Sequence, residues 1–133
     1  MKIAEVSEQY GISSDTLRYY ERVGLIPPVH RNAGGIRDYD DLDLRRVDFI
    51  KCMRSAGLPV EVLIEYMGLV LRGDKTIEAR KEILVEQRDL LASKMEEMQK
   101  TLERLNYKID VYEKALLKKE KEMIQVEELM EGD

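Results

Sequence analysis

The chemically distinctive side chains of this chain are few. They are one cysteine, one histidine, and arginines interleaved with tyrosines in two short runs, DTLRYYER at residues 15–22 and HRNAGGIRDY at residues 30–39. A guanidinium presents a planar fork of donors suited to phosphates and guanine edges, a phenol offers its hydroxyl to a phosphate, and a threonine does either. The chemistry of the two runs is therefore that of a nucleic-acid contact, with Thr16, Arg18, Tyr19 and Arg22 in the first and Arg31, Arg37 and Tyr39 in the second. His30 belongs with the second run as a residue near phosphate. Cys52 is the one group with distinctive redox chemistry, since it is the only thiol, and a thiolate is the strong nucleophile that electrophiles alkylate and that oxidises reversibly.

A single Cys excludes an intramolecular disulfide framework and an all-thiolate metal cage within one chain. With one His far from it in sequence, neither a metal site nor a cofactor is expected. No nucleophile and base pair stand at workable spacing, and there is no Gly-rich phosphate loop, so an enzyme is not expected either.

The elements that must carry these residues follow from spacing. Ile3 and Val6 suit a short amphipathic helix ending at Gly11, and a second helix begins after Ser13 or Ser14. On that second helix Leu17, Tyr20 and Val23 form the inward stripe, which leaves Asp15, Thr16, Arg18, Tyr19 and Arg22 able to face outward. Two short helices across a tight Gly-containing turn make a helix-turn-helix. Pro27-Pro28 then starts an extended stretch, and the turn signal Asn32-Ala33-Gly34-Gly35 predicts a two-stranded hairpin, the wing of a winged helix. Asp40 caps a third helix, with Leu42, Phe49, Ile50, Met53 and Ala56 as its apolar face, and Pro59 opens a fourth. At 100° per residue Cys52 lies about 100° from the centre of the cluster Leu42, Arg46, Phe49, Met53 and Ala56. At that edge the thiol has two readings, a small apolar filler or a sensor.

Seven of the eight Gly and all three Pro lie before residue 75, so one long uninterrupted element follows a region of short ones. Leu84, Leu91, Met95, Met98, Leu102, Leu105, Ile109, Tyr112 and Leu116 recur at spacings of seven, then four and three, which is the seam of a coiled coil. A helix of about 44 residues, capped at Asp74, extends roughly 66 Å. It cannot bury such a stripe within so small a monomer, and the simplest partner is a second copy of the chain. Three segments are expected: a DNA-binding head at 1–74, a dimerisation helix at 75–118, and a short helical or frayed tail at 119–133.

Composition agrees with this mainly α fold. The 133 residues are 37% charged and only 6% aromatic, and the 44% hydrophobic content is one domain's worth of core. The balance of 22 basic and 27 acidic residues gives net −5, and neither half is basic, so any DNA contact must come from local clustering. No apolar run approaches the roughly 20 residues of a membrane span, and MKIAEVSEQYGIS lacks a signal peptide's apolar centre. A soluble, unexported, cytoplasmic protein without a membrane partner is expected.

The run DTLRYYERVGLI, then R followed by GGIRDY, then a helix ending RSAGLP, resembles the MerR family of bacterial transcription regulators over residues 1–70. The resemblance implies a winged helix-turn-helix whose second helix and wing bind double-stranded promoter DNA. It also implies long helices paired antiparallel in a homodimer. By position it places Thr16, Arg18, Tyr19, Arg37 and Tyr39 on DNA, and it implies distortion of the promoter so that RNA polymerase can engage. Ile36 departs from the pattern, since many members carry a second Tyr just before the wing Arg. Paired cysteines near the end of the long helix, as in mercury- and copper-type members, do not occur in these residues, and no appended effector domain is expected. The compact architecture, the segment AGLPVEVLIEYM and the lone Cys in the third helix look like the subgroup that responds to aldehydes and thiol-reactive stress. The resemblance thus implies sensing at Cys52. The alternatives are a coiled-coil interaction protein, or a constitutive DNA-binding protein without thiol sensing.

Overall fold

A computed structural model describes residues 1–131. The helices are α1 (Ile3–Tyr10), α2 (Ser14–Val23), α3 (Asp41–Ser55), α4 (Val60–Leu71) and α5 (Ile77–Glu131), with a 3-10 turn at Asp74–Thr76. The chain is mainly helical, as its composition indicates. None of these helices is long and apolar enough to cross a membrane.

Met1–Asp89 form one compact unit. Its helix-turn-helix is set by local chemistry. Gly11 takes φ +65°, a left-handed conformation that ends α1 without the Cβ clash another residue would suffer. Two residues later the Ser13 side chain accepts a hydrogen bond from the Thr16 N–H at 3.1 Å and opens α2. Gly24 at φ +86° stops α2, and the N–H groups of Leu25 and Ile26 both donate to the Tyr20 carbonyl. The chain then turns inward, so that Leu25 and Ile26 join Val6, Leu17, Val47, Ile50 and Leu63 in the core.

α3 begins with a reciprocal cap. Asp40 accepts from the Asp43 N–H at 2.8 Å while Asp43 accepts from the Asp40 N–H at 3.1 Å. The backbone N–H of Asp43 holds the Asp40 carboxyl below its ordinary value. The buried stripe of α3 differs in phase from the expected one: it is Asp43, Val47 and Ile50, and Leu42 is 46% exposed. Asp43 can be buried because its Oδ2, which accepts from the Asp40 N–H, also accepts from the His30 N–H at 3.1 Å, so two backbone donors meet the buried charge. Phe49, Met53 and Ala56 pack against the core as partly buried residues.

The start of the last helix also differs. Thr76 turns its hydroxyl back to the carbonyls of Leu69 and Gly73, both at 2.7 Å, and this draws residues 74–76 into a 3-10 turn before α5 opens at Ile77. From Leu90 onward the chain is a second unit, all of it α5. Of the two forms expected for the tail, helical or frayed, the described residues have the helical one, as α5 continues unbroken to Glu131; positions 132–133 lie outside the described residues. Met123 and Met130 follow Leu116 at steps of seven, with Val126 between them, so the apolar stripe extends past Leu116 and is interrupted only at Lys119.

Candidate nucleic-acid interface

The outward face of α2 carries Asp15, Arg18, Tyr19 and Arg22, a set at helical spacings of three and four. The Arg22 guanidinium lies 5.6 Å from the centre of the Tyr19 ring, so the aromatic supports the cation while both stay in solvent. Arg18 pairs with Asp15 at 3.1 Å, an exposed contact that is readily exchanged for another anion. Thr16 is half-buried beside the cap, its hydroxyl accepting from that of Ser13 at 2.8 Å.

The wing is tighter than the sequence indicates. Instead of a two-stranded hairpin it has a single antiparallel bridge, Arg31 to Arg37. The Asn32 side chain accepts from the N–H groups of Gly34 and Ile36 at 2.9 and 3.1 Å, so the turn satisfies its own backbone and leaves one pair for a ladder. Both ends are anchored. His30, itself exposed, donates its N–H to Asp43, and Tyr39 donates its N–H to the Met1 carbonyl at 2.7 Å. The Met1 amine in turn meets Asp38 at 3.0 Å and holds that carboxyl below its ordinary value.

Five of the seven residues expected on DNA are exposed or line this surface together: Arg18, Tyr19, Arg22, Arg31 and Arg37. Tyr39 is the clear departure. It is 2% exposed, and its ring is part of the core. Burial pushes the phenol up, and the hydroxyl has no hydrogen-bond partner among the described residues. The exposed tyrosine of the surface is Tyr19, and in the wing Ile36 is exposed.

A residue that sequence reasoning passed over binds the two parts. Glu21 accepts from Arg37 Nε at 2.9 Å and stands 3.8 Å from an Arg31 guanidinium nitrogen, which ties the wing to α2. The only available signal was an acidic residue inside a basic run, and it does not announce a partner sixteen positions away.

Cys52 is exposed. It lies roughly 170° around α3 from the centre of the Asp43, Val47 and Ile50 stripe, outside the core of Met1–Asp89. Among the described residues no group of three His, Cys, Asp or Glu side chains is arranged to hold a metal ion. Leu84, Met95, Met98, Leu102, Leu105, Ile109, Tyr112 and Leu116 are all exposed in the single chain, and Leu91 is half-buried.

Comparison with known proteins agrees with this geometry. The family model for MerR HTH family regulatory proteins matches residues 1–69, and that for the MerR DNA-binding region matches residues 44–107. The HTH-type transcriptional regulator AdhR of Bacillus subtilis is 59% identical over 91 residues, 68% of this chain and 65% of that protein, so the match spans just under two thirds of its length. The crystal structure of a MerR family transcriptional regulator from Listeria monocytogenes superposes with a TM-score of 0.88 at 47% identity, covering 92% of this chain and 93% of the other. HiNmlR, a MerR family regulator lacking the sensor domain and crystallised on promoter DNA, gives a TM-score of 0.78 at 32% identity over 86% of this chain and 90% of its own.

Proposed function

The chain belongs to the MerR family of DNA-binding transcriptional regulators, and on that premise we propose that it is a cytoplasmic homodimer that holds promoter DNA in two half-sites and distorts the spacer for RNA polymerase. It is a regulator and not an enzyme. The observation that carries the DNA reading is the concentration of Arg18, Arg22, Arg31 and Arg37 with Tyr19 on α2 and the wing of a chain whose net charge is −5. A local cation cluster on an acidic protein confines the contact to one face. Arg18, Arg22 and Tyr19 read or grip the groove, Arg31 and Arg37 grip the backbone from the wing, and Thr16 stiffens the start of α2. Tyr39 supports the wing from beneath. HiNmlR, bound to promoter DNA in its crystal, supports this assignment.

The working division is a DNA-binding head at 1–74 and a dimerisation helix at 75–118, with the tail at 119–133 continuing the same helix as far as Glu131. An apolar stripe left exposed along α5 supports a second copy as its cover, in a coiled coil. Footprinting on the chain's own promoter is expected to show two protected half-sites separated by a spacer with altered cleavage. One protected half-site and an unchanged spacer would contradict the dimer and the distortion together.

Cys52 is the proposed sensor, with aldehydes and other thiol-reactive electrophiles as the class of signal. Its exposure supports the assignment, because an electrophile reaches the thiol without unfolding α3. An adduct on that outer face leaves the core intact, so its effect must pass through whatever packs on α3 in the dimer on DNA. A coupling of about 1–3 kcal/mol is enough to shift a promoter complex between two states. In transcription assays with purified components, formaldehyde or methylglyoxal is expected to change output with the wild type and not with Cys52→Ser, while promoter affinity stays the same. An equal response from both proteins would remove the sensor assignment.

A further inference from the structure

Arg31 and Arg37 face each other across the one bridge of the wing, and like charges placed directly opposite on paired strands repel. The wing backbone holds the pair together, through the Asn32 N–H to the Ile36 carbonyl at 2.9 Å and the Asp38 N–H to the His30 carbonyl at 2.7 Å, but it supplies no charge to balance the two guanidiniums. The compensating group comes from another element. Glu21 of α2 has a side chain only 14% exposed, and its two carboxylate oxygens are divided between the arginines, Oε1 to Arg37 Nε at 2.9 Å and Oε2 to Arg31 at 3.8 Å. Arg31 also donates to the Gly35 carbonyl at 2.9 Å. Arg37 uses Nε alone, and its two Nη groups have no partner among the described residues.

We propose that Glu21 is the positioning residue of the DNA surface: an anion that strengthens DNA binding by locking the wing to α2 and aiming the Arg37 fork. The assignment rests on the DNA reading above and adds to it a sign that simple electrostatics does not give. A carboxylate close to bound phosphates repels them, so on charge alone its removal would tighten binding and steepen the salt dependence. As a positioning residue, its removal does the reverse. Without Glu21 the two guanidiniums push apart, the wing is held by one bridge and its end anchors, and the Arg37 donors must be ordered afresh at each binding event.

The experiment is a set of promoter-duplex titrations with the full-length dimer, comparing wild type, Glu21→Gln, Arg37→Ala and the double variant. Glu21→Gln is expected to weaken promoter binding about tenfold, the scale of one lost charge-assisted hydrogen bond. In the Arg37→Ala background the same change is expected to leave affinity unaltered or to raise it about twofold, because the hydrogen-bonded fork is gone and the longer 3.8 Å contact to Arg31 is outweighed by the carboxylate's repulsion of phosphate. That reversal separates positioning through Arg37 from a general loss of structure, which would weaken binding in both backgrounds. Glu21→Asp keeps the charge but shortens the reach by one methylene. It is expected to bind between wild type and Glu21→Gln, and it provides the same test should Glu21→Gln fail to fold. Promoter binding by Glu21→Gln or Glu21→Asp as tight as wild type, or tighter, overturns the assignment and leaves the DNA reading standing. A wild type that does not distinguish its promoter from a scrambled duplex overturns both.

Discussion

Substituting Leu102→Lys and Leu105→Lys together is expected to convert the protein into monomers. Both side chains lie on the exposed stripe of α5, where they are 50% and 56% exposed in the single chain, so in a monomer the new ammonium groups cost little. Against a second copy, however, each would enter an apolar seam without a counter-charge, at several kilocalories per mole per buried ion. A loss of about 4 kcal/mol weakens association a thousandfold. None of the residues in the core of Met1–Asp89 is altered, so the head should keep its thermal transition and its weak, sequence-independent DNA affinity while losing the tight binding that two linked half-sites provide. Light scattering across a concentration series checks this, and a double variant that retained the mass of a dimer would show that the seam lies elsewhere on the chain.

The second large effect concerns how the two parts of the interface divide their work. Arg18→Ala is expected to cost about 1–3 kcal/mol at the promoter and much less on unrelated DNA, as for a guanidinium that reads a base edge. To do so Arg18 must leave Asp15, and a surface pair of that kind is worth under about 1 kcal/mol, so the exchange is favourable. Arg37→Ala should weaken all sequences alike and reduce the salt slope by about one, as for a phosphate contact. Competition titrations with promoter and scrambled duplexes at several salt concentrations separate the two behaviours. Unchanged affinity in both variants would remove the interface.

Much of the head could be read from sequence because its punctuation is local. Gly11, Ser13, Gly24 and Asp40 each act on backbone groups within a few residues, and each stands in the structure where its chemistry requires. The wing turn was legible for the same reason, although Asn32 closes it more tightly than a hairpin ladder would. What failed was whatever depended on partners distant in sequence. On α3 the apolar face reads correctly at Ile50 and, as partly buried residues, at Phe49, Met53 and Ala56, but not at Leu42, and it omits Asp43, a residue that hydropathy assigns to solvent and that is buried here because two backbone N–H groups satisfy it. With Asp43 and Val47 in the buried stripe, Cys52 stands nearly opposite its centre rather than about 100° away. The place of Tyr39 in the wing points to DNA, whereas its ring is buried in the core. On α5 a single lysine at position 119 hid the continuation of the stripe through Met123 and Met130.

The central claim is that an acidic chain binds one DNA sequence through a local cluster of arginines, and equilibrium titration of the wild-type protein against its promoter duplex and a scrambled duplex of equal length tests it most directly. Four arginines on each of two heads imply up to eight phosphate or base contacts. If about six of these neutralise phosphates, the logarithm of affinity should fall with the logarithm of salt at a slope near −5, with the promoter bound at least a thousandfold more tightly than the scrambled duplex at physiological salt. Equal affinity for the two duplexes, or binding that does not change with salt, would contradict the account.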